Sequence, residues 1–312
     1  MTRASTYARR WWAPAAALVV AACAIGAIAV FGEHEDNLPA PTADPGPNAA
    51  VPAFSHVFVI VLENHNYDEI ISSEAAPYLN ELAARYGLAT AYTGLFHPSQ
   101  PNYIALFSGS GQGVDDNDNH DLDAVSLIDQ LEAEGLDWRV AAENVPSDCF
   151  TGAFSDDGPD GPGTYARKHN PAISFVGVQS SPERCAKIIP LKAFDPGIAE
   201  FQFIVPNLCH DMHDCPITDG DRWLSSWVPG LLASPAWREG GVLFITFDEP
   251  QGGNADALIP TFVISDAVPA GYRSSEPHTH YSLLRTIEDA FRLDCLENAC
   301  SANTLGEFFV SP

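Results

Sequence analysis

Positive charge is what this chain has least of. Its 312 residues include 15 Lys and Arg against 41 Asp and Glu, a formal net charge of −26. No acidic residue precedes Glu33, while three of the basic ones, Arg3, Arg9 and Arg10, do. Beyond position 32 twelve cations therefore face 41 anions, a net −29. Such a surface repels nucleic-acid phosphates, so no nucleic-acid partner is expected. A small anionic substrate is not excluded, because a bound cation inverts the local field. Two further absences narrow the chemistry. The chain has no Cys-x-x-Cys pair, which argues against a zinc site. It has no Gly-x-Ser-x-Gly elbow, which argues against a lipase-type triad.

Residues 1–32 read as an address. Three Arg precede an apolar stretch from Trp11 to Phe31, broken only by Pro14 and Gly26. That is the pattern of a signal peptide or a retained signal anchor, so residues 11–31 offer a membrane anchoring segment. Val20-Ala21-Ala22-Cys23 also has the form of a lipoprotein cleavage box, but the residues after Cys23 stay apolar. An exported protein is expected, secreted or held at the outer face of the cell membrane. Residues 33–52, rich in Pro, Asp, Asn and Ala, read as a flexible linker, and 53–312 as one catalytic domain. The six cysteines beyond Cys23 suit disulfides in an oxidising compartment. Fifteen pairings are possible. Local closure favours Cys209–Cys215 and Cys295–Cys300, leaving Cys149–Cys185.

Chemistry gathers where buried strands end. Val57 to Leu62 is an unbroken apolar run, the pattern of a strand covered on both faces, and it stops at Glu63-Asn64-His65-Asn66. Ligands bind at the carboxyl ends of strands in open α/β sheets. A carboxylate, an amide and an imidazole there suit a divalent cation, although Asn64 and Asn66 equally suit a turn or a helix cap. Strands are also expected over Leu88–Tyr92, Trp138–Ala142, Phe201–Val205, Val242–Phe247 and Ile259–Ile264. Three of these end in polar groups: Glu143-Asn144, then Asn207, His210, Asp211 and His213, then Asp248-Glu249. Helices are expected over Ala75–Tyr86, from Pro101, over Val125–Leu131, Arg222–Leu232 and Ser282–Phe291. Ser99 stands just ahead of the second of these. It reads either as an ordinary N-cap or as a hydroxyl held where helix N–H groups favour an incoming phosphate.

Together these residues resemble a known family. Val59-Ile-Val-Leu-Glu-Asn64 with Tyr67-Asp68, His97-Pro-Ser-Gln-Pro-Asn-Tyr103 and Arg167-Lys-His-Asn-Pro171 match motifs of the bacterial and fungal phosphoesterases. So do Pro206-Asn-Leu-Cys-His-Asp-Met-His-Asp-Cys215, Thr246-Phe-Asp-Glu249 and His280-Tyr-Ser-Leu-Leu-Arg-Thr-Ile287. That family includes phospholipases C and acid phosphatases. The resemblance implies an α/β fold of the alkaline phosphatase type, a three-layer α/β/α sandwich around a mostly parallel sheet. It implies a divalent metal ion held by Glu63, Asn64, Ser99, Asp248 and Glu249, with Ser99 also the nucleophile. It further implies His169, His213 and His280 as catalytic groups around the phosphate, with Asn102 and Asp211 binding substrate. Glu249 and His210 depart from the family pattern. The expected activity is metal-dependent hydrolysis of a small phosphate ester, of acid phosphatase type. The alternatives are a phospholipase C-type diesterase and an anchored, non-catalytic binding protein that keeps the fold. A sulfatase is disfavoured, because Ser99-Gln-Pro-Asn102 lacks the Arg of the sulfatase motif.

Overall fold

The computed structural model describes residues 49–155, 164–254 and 256–309. The address segment 1–32 lies outside the described residues, as does the linker up to residue 48. The last part of that linker is not free chain, since Val51 is buried in the core.

Among the described residues ten strands form: β1 (His56–Leu62), β2 (Gly87–Ala89), β3 (Tyr92–Thr93), β4 (Trp138–Ala142) and β5 (Ile188–Pro190), followed by β6 (Phe201–Val205), β7 (Gly241–Phe247), β8 (Thr261–Ile264), β9 (Arg273–Ser274) and β10 (His278–Thr279). Eight make one sheet in the order β5-β4-β6-β1-β7-β8-β2-β9, and β10 pairs with β3 in a small second sheet. The five strands from β5 to β7 are parallel, while β8 runs against both of its neighbours. Apolar runs without alternation become the central strands. Every residue of β6 and β7 is buried, and all of β1 after His56.

The register shows why both faces are covered. Phe203 on β6 pairs with Val59, and Gln202 with Phe58, so Phe203 and Phe58 point to opposite faces. On Phe203's face lies the helix Gln100–Ser108. Phe107 meets Phe203 edge-on at 5.2 Å, and Tyr103 does so at 6.4 Å. On the other face Phe58 contacts Phe194, which packs on Trp227 of the helix Ile217–Leu232. Each helix has a companion: His280–Phe291 packs on the first, and Pro77–Arg85 on the second. The result is the expected three-layer α/β/α sandwich around a mostly parallel sheet. The helix Gln100–Ser108 is buried along its whole length and stops at Gly109 (φ +72°), where a Cβ would stand 2.2 Å from the Leu296 carbonyl oxygen.

One expected strand divides. Leu88–Tyr92 splits at Thr90, so that β2 stays in the large sheet while Tyr92 leaves it to pair with His278. The cause is tertiary: the Thr90 amide and hydroxyl both donate to the Ser274 carbonyl at 2.8 Å, turning the chain there. All three expected disulfides are present, Cys149–Cys185, Cys209–Cys215 and Cys295–Cys300.

Candidate active site

Three adjacent parallel strands, β6, β1 and β7, deliver the site. Leu62 and Phe247 are register partners, so Glu63 emerges beside Asp248 and Glu249, all three buried. The Asn64 backbone turns left-handed (φ +52°), and its N–H donates to Asp248 Oδ1 at 3.0 Å. Asn66, by contrast, does what a cap does: it starts the short helix Tyr67–Ile70, and its N–H donates to Glu69. From β6 the chain enters the loop clipped by Cys209–Cys215, and the Asp211 carbonyl accepts the Glu63 N–H at 2.8 Å.

Ser99 immediately precedes the helix Gln100–Ser108, yet its hydroxyl caps no backbone group. The Gln100 N–H is taken by Asn117 Oδ1 at 3.0 Å. The Ser99 hydroxyl instead donates to Glu63 Oε2 at 2.9 Å and stands 3.3 Å from Glu249 Oε1. The loop before it fits closely against β7, since a Cβ at Gly94 would lie 2.9 Å from the Asp248 carbonyl oxygen. His169 lies between two acids, Nε2 3.1 Å from Glu63 and Nδ1 3.0 Å from Asp211, and stacks on Tyr103.

Charge is unbalanced here. Burial and the neighbouring Glu63 and Glu249 push the Asp248 carboxyl well above the usual range, and burial raises Glu249 despite His97. Burial works the same way on Glu63, but the positive His169 and its hydrogen bond prevail and hold it at about 2. Burial alone would lower the imidazole of His169, and the carboxylates of Glu63 and Asp211 raise it instead. Burial also lifts Asp211, against the pull of His169.

A hard cation fits this donor set. Asp248 Oδ2 and Asn64 Oδ1 are buried and have no hydrogen-bond partner among the described residues, a costly state that an ion relieves. Among the described residues, the trio of acidic, His or Cys ligand atoms that already converges is Cys209, Cys215 and Asp219, and both sulfurs there are disulfide-bonded. The Glu63, Asp248 and Glu249 set is looser, joined through the Ser99 hydroxyl and the Asn64 N–H.

Two expected site residues do not face this space. Asn102, expected to bind substrate, uses Oδ1 to accept from the Leu95 and Phe96 N–H groups at 2.9 and 3.0 Å, and Nδ2 to donate to the Phe96 carbonyl at 3.0 Å. It fastens the loop ahead of Ser99. His280, expected to be catalytic, is fully buried with Nε2 on the Asp248 carbonyl at 2.6 Å and Nδ1 on the Tyr92 hydroxyl at 3.1 Å. Burial lowers it to about 4, so it is a neutral brace behind Asp248. His213 does reach the opening, a cavity of about 250 Å³ also lined by Asn64, His65, His97, Met212 and Glu249.

Two residues were missed. Tyr103 donates its hydroxyl to Glu63 Oε1, and His97 Nδ1 lies 2.5 Å from Glu249. Tyr103 stands four residues after Ser99 in helical backbone, hence on the same face, a spacing readable in the sequence. His97 carried no such signal, because only the fold brings it to Glu249.

The architecture and the strand-end site define a class. A protein of the alkaline phosphatase superfamily from Vibrio parahaemolyticus superposes with a TM-score of 0.55 at 11% identity, over 84% of this chain and 74% of that one. The phosphonate monoester hydrolase of Agrobacterium radiobacter gives 0.54 at 12%, over 83% and 78%. At such identities the likeness concerns the fold. Residues 71–294 match the Phosphoesterase family, and the chain belongs to that family, whose members hydrolyse phosphate esters. A phosphatidylinositol-3-phosphatase of Mycobacterium tuberculosis is 31% identical over 78% of this chain and 79% of its own length. An acid phosphatase of Aspergillus fumigatus is 28% identical over 81% of this chain, but the chain spans only 58% of that enzyme.

Proposed function

We propose that the chain is an exported, metal-dependent phosphatase that cleaves small phosphomonoesters through Ser99. The observation that supports it best is the Ser99 hydroxyl. It is buried at a helix start and turned away from capping toward Glu63 and Glu249. Glu63, Asn64, Ser99, Asp248 and Glu249 would hold the divalent cation, which when bound favours the ionised hydroxyl and offsets charge on a phosphate oxygen.

The protein's own groups do the rest. Ser99 Oγ forms a bond to phosphorus as the bond to the leaving alcohol breaks, giving a phosphoseryl intermediate. The departing oxygen needs a proton, and of the three histidines considered, His213 stands at the cavity opening. His169 is held between Glu63 and Asp211, where it keeps both in place. Water then attacks phosphorus as the bond to Ser99 Oγ breaks, releasing phosphate, and one proton of the attacking water passes to Ser99 Oγ. A diesterase is the second reading. Hydrolysis of p-nitrophenyl phosphate and of its bis-ester, each with and without chelator, tests the set. Monoester turnover that chelation abolishes is expected; faster cleavage of the bis-ester overturns the substrate class, and full activity in chelator overturns the metal.

A further inference from the structure

The fourth polar strand end, Glu143-Asn144 after β4, does not join the Ser99 site. It opens on a separate groove of about 610 Å³ lined by Glu143, Asn144, Leu191, Lys192, Trp223 and Trp227. The disulfide-clipped loop ties the groove to the fold: Glu143 Oε2 accepts the Asn207 N–H at 3.1 Å and lies 2.8 Å from His210 Nδ1. That pairing gives His210 a carboxylate partner at the groove.

Two properties of the groove stand out. Its wall is the outer end of an aromatic stack: Trp227 is partly exposed, and Trp223, only 9% exposed, lies nearly parallel behind it (11°, 5.7 Å) with His210 continuing the stack on Trp223 at 5.6 Å. Its polar groups are of both kinds and unengaged. Among the described residues, Glu143 Oε1, Asn144 Nδ2 and Lys192 Nζ have no hydrogen bond or ion pair; the bonds of Glu143 and Asn144 fall on their other atoms.

We propose that this groove binds a neutral polyhydroxylated ring, a sugar or a cyclitol. The C–H face of such a ring lies against aromatic surface, and its hydroxyls each donate and accept, which a carboxylate with an amide and an ammonium satisfies. A phosphate is opposed by Glu143, and a cationic ligand by Lys192. The volume suits a small ligand fixed by a few polar groups on an apolar wall. The assignment stands on this groove alone and does not require the Ser99 chemistry.

The test uses the full chain and two neutral probes, myo-inositol and cellotetraose. The indole N–H signals of Trp223 and Trp227 are followed by 1H–15N NMR, with Trp227→Phe for assignment. At least one probe is expected to shift both signals saturably; inositol alone marks a cyclitol site, the oligosaccharide a sugar site. Asn144→Gly keeps the left-handed backbone (φ +57°) and removes the amide, and Lys192→Ala removes the ammonium. Each should weaken binding about fivefold, the size of one net hydrogen bond, with p-nitrophenyl phosphate turnover unchanged. The proposal falls if neither probe moves the two indoles. It falls equally if inorganic phosphate moves them at lower concentration, or if binding is undiminished in both variants.

Discussion

Replacing Asn102 with Ala separates two roles that one side chain could have. In the structure the amide is fully buried and closes the loop before Ser99 through two accepted bonds and one donated bond of 2.9 to 3.0 Å, with a longer donation to the Pro98 carbonyl at 3.5 Å. Removing it strands the N–H groups of Leu95 and Phe96 and the Phe96 carbonyl. Each buried unsatisfied group costs about 1–3 kcal/mol. This loop is partly exposed and can take up water, so a loss of roughly 2–4 kcal/mol in total is expected. Urea denaturation at fixed pH measures it through the midpoint at constant slope. Turnover should fall with it, because Ser99 loses its placement, while KM changes little. If Asn102 bound substrate instead, Asn102→Ala would raise KM and leave the urea midpoint almost unmoved. That result would refute the reasoning.

Glu288 offers a pH-dependent counterpart far from the cation ligands. It is buried, with Oε1 accepting the Leu296 N–H at 2.8 Å and Oε2 without a partner among the described residues, and burial lifts its carboxyl from 4.5 to about 8. The folded state thus holds this proton more tightly than the unfolded chain. Its contribution is complete below about 4.5 and is lost as pH rises toward 8, by something on the order of 2–4 kcal/mol. Glu288→Gln should flatten that decline in thermal denaturation curves; an unchanged slope would place the titration elsewhere. Opening Cys209–Cys215 by a double Ser substitution should cost about 2 kcal/mol for so short a loop and lower turnover as well, since the loop bears Asp211 and His213. Equal activity would show that the loop holds its shape unaided. Tyr103→Phe removes one donor to Glu63 and should cut kcat about tenfold, the worth of a hydrogen bond to a charged group, with little change in KM.

How much of this was legible follows from which forces are local. The apolar runs at Val57–Leu62, Phe201–Val205 and Val242–Phe247 need burial on both faces, so their strands and the parallel sheet could be read directly. Polar groups directly after such runs had to emerge at one sheet edge, which placed Glu63, Asp211, Asp248 and Glu249. Distance along that edge was not readable. Only the order β4-β6-β1-β7 shows that Glu143 stands two strands away from Glu63, at a different groove. Nor was the direction of a polar side chain. Asn102 and His280 carry groups fit for substrate, yet Asn102 closes on the backbone of its own preceding loop and His280 on the Asp248 carbonyl and Tyr92 hydroxyl that the tertiary fold delivers to it. The bend at Thr90 was hidden for the same reason, because its partner Ser274 lies 184 residues away.

The central claim is that Ser99 attacks phosphorus. Its most direct test is the stereochemical course of hydrolysis, measured on a phenyl phosphorothioate made chiral with two oxygen isotopes and cleaved in water carrying the third. Two in-line displacements through a covalent Ser99 intermediate return thiophosphate with retained configuration, and Ser99→Ala, which removes no backbone cap, should stay folded yet lose nearly all turnover. Inversion at phosphorus would mean direct attack by water and would contradict the role given to Ser99.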